Sequence, residues 1–127
     1  MSDWTEYEIE FREEDEGKIK EVVGNCDHRE KDGKIVKYIF SQMAYGGFTE
    51  NNKLHQAGMV FRGNHGKGSE FDCQVFASDG KTLAETPCDR NTMPVVIFRD
   101  GKVNEISLED ARKYEEVLKN ANRILEA

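Results

Sequence analysis

Gly63-Asn64-His65-Gly66-Lys67-Gly68-Ser69 comes nearest in this sequence to a chemical motif. Closely spaced glycines let backbone amides converge on an anion, and Lys67 adds a point charge. The spacing is not that of a P-loop, which needs Gly-Lys followed directly by Ser or Thr and a helix; here Gly68 follows Lys67 and a strand-like run comes next. The dinucleotide fingerprint fails as well. Turn geometry alone also accounts for these glycines; on the alternative, ligand-binding reading, Gly63, His65, Lys67 and Ser69 are candidate contacts for a nucleotide-like or phosphorylated small molecule. Tyr45 and Phe48 flank Gly46-Gly47 and add a second candidate corner, where glycine gives a ligand close backbone approach. Aromatic residues at a strand end also serve simply to close a core.

A second group is acidic. Residues 1–16 hold eight acids and one base, Arg12, whereas the rest of the chain is balanced, so the formal charge of −7 resides in this segment from Asp3 to Glu16. Glu6, Glu8 and Glu10 alternate with apolar residues and share one face of a strand, and Glu13 and Glu14 follow directly. Alternate strand residues lie about 6.6–6.8 Å apart, a coarse substitute for a line of phosphates. The leading expectation is therefore a small non-enzymatic interaction module that binds a basic protein partner, as an inhibitor of a nucleic-acid-handling protein would. Charges on an outer strand also keep sheets from pairing edge to edge. Direct nucleic-acid binding, which needs clustered Lys and Arg, is disfavoured.

Cys26, Cys73 and Cys88 form no Cys-x-x-Cys pair, which argues against a disulfide scaffold or zinc ribbon and suits a reducing, cytoplasmic setting. Cys26-Asp27-His28, with His65 and Cys88 elsewhere, lacks the spacing of metal ligands or of a nucleophile pair, and Cys73 reads as a small hydrophobe in a strand. No catalytic motif, metal site or cofactor site is expected, and the reading leans away from an enzyme. No basic segment precedes an apolar core, and no apolar run is long enough to cross a bilayer.

The elements that must position these residues read as one domain of 127 residues. Period-two alternation predicts strands over 5–11 and 71–77, and residues 34–45 read as a central strand. A short helix is expected after Glu13, a strand over 56–62, and a polar connection over 26–31 and again over 82–92. Pro94-Val95-Val96-Ile97-Phe98, the turn Asp100-Gly101 and a return to Ile106 predict a hairpin. Ser107-Leu108-Glu109-Asp110 then has the form of a capping box for a long helix with Leu108, Ala111, Tyr114, Val117, Leu118, Ala121, Ile124 and Leu125 on its apolar stripe. The fold class expected is α+β, a twisted, mostly antiparallel sheet covered on one face by a short N-terminal helix and a long C-terminal helix. Residues 92–102 and the helix after them resemble the closing hairpin and last helix of the thioredoxin family. That resemblance covers about a quarter of the chain. Where the family would place Cys-x-x-Cys, this chain has Tyr45-Gly46-Gly47-Phe48, so no redox activity is implied.

Overall fold

The alternation at the N-terminus places Tyr7, Ile9 and Phe11 on one side of an extended chain, and this segment is β1, Trp4–Arg12. In the computed structural model, which describes residues 4–69 and 71–127, it pairs on both edges; Asp3, counted among the acids, lies outside the described residues. A 3₁₀ turn leads to α1, Glu16–Val23, then β2, His28–Asp32, and β3, Ile35–Ala44. After them come α2, Phe48–Gln56, β4, Val60–His65, β5, Gln74–Asp79, and β6, Leu83–Pro87. A two-residue hairpin, β7, Phe98–Arg99, and β8, Lys102–Val103, precedes α3, Glu105–Leu125. Among the described residues, six strands form one antiparallel sheet in the order β2-β3-β1-β4-β5-β6.

This is the α+β architecture expected; the short N-terminal and long C-terminal helices, expected together on one face, cover opposite faces, because each face of the sheet carries its own apolar cluster. One face carries Tyr7, Ile9, Phe11, Val36, Tyr38, Phe40, Phe61 and Phe76, closed over by Ile19 and Val23 of α1 and Leu54 of α2. The other face presents Val75, Ala77 and Ala84, which pack with Cys88 against Tyr114 and Val117 of α3. Because α3 lies over β4, β5 and β6, the same face of β1 keeps its carboxylates in reach of water. The acids were expected on an outer strand; they sit instead on an interior strand, whose half-open face tolerates them.

Several local expectations shift for identifiable reasons. The polar stretch expected as a connection after Cys26 forms β2, exposed along its whole length, so no alternation marks it. Residues 82–92 likewise conceal β6, where Ala84 and Thr86 are buried between exposed or half-buried neighbours. The strand expected over 56–62 begins later, at Val60, because α2 runs to Gln56 and Gly58, at φ 74°, turns the chain. Residues 94–98 do not join the sheet. Pro94 makes one bridge to Cys88, and the chain then turns through Asp100 and Gly101, both left-handed, toward α3. The thioredoxin-like resemblance therefore does not extend into the sheet. Val96, Ile97, Phe98, Val103 and Ile106 all remain exposed. The cap also moves by three residues: Asn104, not Ser107, accepts from a first-turn amide, Ser107 N–H at 2.9 Å. The Ser107 hydroxyl donates to Asn104 C=O and accepts from Ile97 N–H, each at 2.9 Å.

The first turn of α1 is tied to the sheet edge by charge. Glu16 accepts from Arg29 at 2.7 and 2.8 Å and from the Tyr38 hydroxyl at 2.6 Å, and these bonds, Arg29 first, hold its carboxyl down to about 2. A folded-state pKa below the unfolded one contributes stability above the unfolded value, near 4.5, that is lost as pH falls toward about 2. Urea midpoints of wild type and Glu16→Gln should therefore differ at neutral pH and converge across that acid window. A constant difference at every pH would contradict this.

Candidate functional site

Three of the residues singled out as small-molecule contacts meet at one place. The register Tyr7↔His65 brings the end of β4 beside β1, and β5 places Gln74 opposite His65. The Phe76↔Glu85 pair sets Glu85 on the same side of the sheet. Above these three polar side chains stand Tyr45, Gly46 and Phe48, with Phe71 from the loop before β5, enclosing a cleft of about 320 Å³. That volume lies at the small end of the range for ligand sites.

The aromatic wall is held by unusual backbone. Tyr45, Gly46 and Gly47 have φ of 51°, 61° and 75° in succession, a conformation that costs free energy at a tyrosine and is sustained by surrounding packing. A Cβ on Gly46 would lie 2.8 Å from the His65 ring, and one on Gly47 would lie 2.2 Å from the Tyr7 ring. Glycine is thus required twice, for sign of φ and for contact. The tight turn leaves Tyr45 56% and Phe48 60% exposed, so both rings face solvent at the mouth.

His65 is buried at the floor. Its Nδ1 lies 2.8 Å from Gly66 C=O and donates to it, and Nε2 lies 3.3 Å from Oε1 of Gln74. The ring donates in that second contact when both nitrogens carry protons; the amide, turned over, donates when they do not. Phe71 meets the imidazole edge to face, with centroids 5.4 Å apart and planes at 83°. Among the described residues lining the cleft, Glu85 is the one carboxylate and there is no Lys or Arg.

The other predicted ligand contacts separate from it. Gly63 belongs to β4, paired with Ile9 and Phe76. Lys67 and Ser69 lie in the connection between β4 and β5 and are not among the lining residues. Phe71, Gln74 and Glu85 escaped sequence reasoning: Phe71 fitted a strand alternation, and the other two reach the cleft only through cross-strand pairing, which leaves no local trace.

The acidic candidates are largely occupied by the protein's own cations. Glu8 lies 3.8 Å from Lys37, Glu10 lies 3.4 Å from Arg62, and Glu14 lies 3.5 Å from Arg12. Glu13 reaches Lys31 at 3.0 Å and Arg29 at 3.6 Å. Arg62 also donates to Asn122 of α3 at 2.5 Å and to Glu126, just past its end, at 3.1 Å. Glu6 is exposed and meets no cation among the described residues. Surface pairs of this kind contribute little stability, yet each places a cation directly against the carboxylate a basic partner would need. Cys26 packs against the face bearing α1 and Cys88 against the face bearing α3, so the sheet separates two of the residues considered for a metal. Among the described residues no cluster of three or more potential metal ligands occurs, and no helix is long and apolar enough to cross a membrane.

No family model matches the sequence, and no curated protein or solved structure matches it significantly.

Proposed function

We propose that the protein binds a small molecule in the cleft between the 45–48 turn and the ends of β4, β5 and β6. The observation that carries this reading is the convergence of Tyr45, Phe48 and Phe71 around His65, Gln74 and Glu85. Three aromatic walls offer stacking surfaces and quadrupole faces that attract a cation. A single carboxylate and a primary amide supply acceptors for N–H groups. With no lysine or arginine among the described lining residues, the ligand favoured is a planar or quaternary nitrogen cation, or a neutral N–H-rich heterocycle. A phosphate group has no counter-charge there, so the ligand class moves away from the phosphorylated molecules suggested by the glycine-rich sequence.

The basic-partner reading has less support, because four of its five carboxylates already face intramolecular cations and Glu6 is left to carry it.

A thermal-shift screen of aromatic amines, quaternary ammonium compounds, free nucleobases and nucleotides separates the classes. A ligand at 100 times its dissociation constant adds about 2.7 kcal/mol. Stabilisation is expected from cations or bases without phosphate, and Tyr45→Ala or Glu85→Gln should weaken it by about tenfold, a loss on the order of 1.4 kcal/mol. Hits that survive both substitutions, or a panel in which only phosphorylated compounds stabilise, would overturn the assignment.

A further inference from the structure

Cys73 directly precedes β5 and Cys88 directly follows β6, one step beyond the Gln74↔Pro87 pair, so they face each other across an antiparallel ladder. Cys88 N–H donates to Cys73 C=O at 3.1 Å, and the Cys73 thiol donates to Cys88 C=O at 3.0 Å. Residues opposed in an antiparallel ladder have Cα atoms about 4.5–5.5 Å apart, within the span a disulfide bridges. Both side chains project to the face under α3. Cys88 is buried there with Tyr114 and Val117, and Cys73 packs partly exposed against the same group. Burial, then the neighbouring Cys73 thiol, pushes the Cys88 thiol up to about 12. Cys26 is remote from both, on the opposite face of the sheet.

We propose that Cys73 and Cys88 are a thiol–disulfide exchange site that takes a low-molecular-weight disulfide as its oxidant. The exposure difference assigns the roles. Cys73, the less buried of the two, loses its proton and attacks one sulfur of the external disulfide, breaking the S–S bond and releasing one thiolate, which takes up a proton. Cys88 then loses its proton and attacks the Cys73 sulfur of the mixed disulfide, releasing the second thiol. Two electrons and two protons pass to the external disulfide, and one cross-strand cystine forms. The linkage fastens the open end of the β5–β6 hairpin where the chain leaves for the exposed apolar segment: Asp89 N–H bonds Met93 C=O and Val95 N–H bonds Pro87 C=O just beyond it. Oxidation should therefore slow amide exchange over residues 88–95.

The test treats the native full chain with oxidised glutathione, quenches with acid, alkylates remaining thiols and digests with trypsin. The expected product joins the peptides 68–81 and 82–90, lighter by two hydrogens and restored by dithiothreitol, and Cys26→Ser should give the same product. In single variants, Cys73 in Cys88→Ser should form its glutathione adduct faster than Cys88 in Cys73→Ser, by about tenfold or more. A lasting glutathione adduct on Cys73 without the internal bond, a bond to Cys26, or a bond that forms only in denaturant would each overturn the proposal. Because the peptide map reads the unaltered protein, the result stands even if a serine variant fails to fold, and it is independent of ligand binding in the cleft.

Discussion

Gly63→Ala is expected to lower stability by about 3 kcal/mol or more, and the melting temperature by about 10 °C. A Cβ on Gly63 would lie 2.0 Å from the Glu8 carbonyl oxygen and 2.7 Å from the Phe76 ring. The first obstacle is backbone of the interior strand β1, which cannot swing aside without breaking the β1–β4 ladder. The second is a ring already stacked on Tyr7, with centroids 5.4 Å apart and planes at 24°. Gly63 thus makes room for the aromatic core at the point where three strands meet. Gly66, in the connection that follows, meets nothing closer than 3.7 Å, so Gly66→Ala should change stability by less than about 0.5 kcal/mol. Urea melts of the two variants check the contrast. Equal, small effects would mean that Gly63 acts only as a flexible link, as the glycine-rich sequence by itself suggests.

That contrast shows how far this sequence can be read. Wherever one face is buried and the other wet, the pattern is plain: Tyr7, Ile9 and Phe11 mark β1, and Ala111, Tyr114, Val117, Ala121 and Leu125 mark the buried stripe of α3. Where both faces are wet, as in β2, nothing in the sequence distinguishes strand from loop. The apolar run 94–98 misleads in the opposite direction. Its β-branched residues suit a core strand, yet the chain must leave the β6 edge there to reach α3, and Val96, Ile97 and Phe98 stay exposed. An exposed apolar group of this kind is the feature hardest to anticipate from composition. The cleft was half legible. Tyr45, Phe48 and His65 announce themselves by type and by their glycine neighbours, but their meeting depends on the Tyr7↔His65 register. Glu85, which sets the expected ligand charge, enters only through β6, itself hidden in a polar stretch.

The entry to α2 carries one wall of that cleft, and a single buried hydrogen bond anchors it to the middle of the sheet. Tyr7, fully buried, donates its phenol O–H to Oδ1 of Asn51 at 2.6 Å. Burial first, and the Glu50 charge second, hold the phenol's pKa well above its ordinary value, so it remains a donor through neutral and mildly alkaline pH. Tyr7→Phe should leave Asn51 with an unsatisfied buried acceptor and cost about 1–3 kcal/mol, and Asn51→Leu should cost a similar amount by stranding the phenol. Tyr7→Phe/Asn51→Leu removes both polar groups together and should cost less than the two single changes summed, with a coupling of about 1 kcal/mol or more. Denaturant melts of the four proteins measure that coupling directly; additivity within about 0.5 kcal/mol would show that the pair contributes no more than its separate packing. Since Gly47 lies against the Tyr7 ring and Phe48 opens α2, loosening this anchor should also weaken ligand binding in the cleft in the single variants. The double variant should recover stability before it recovers affinity, because leucine restores burial without restoring the bond that fixes the helix start.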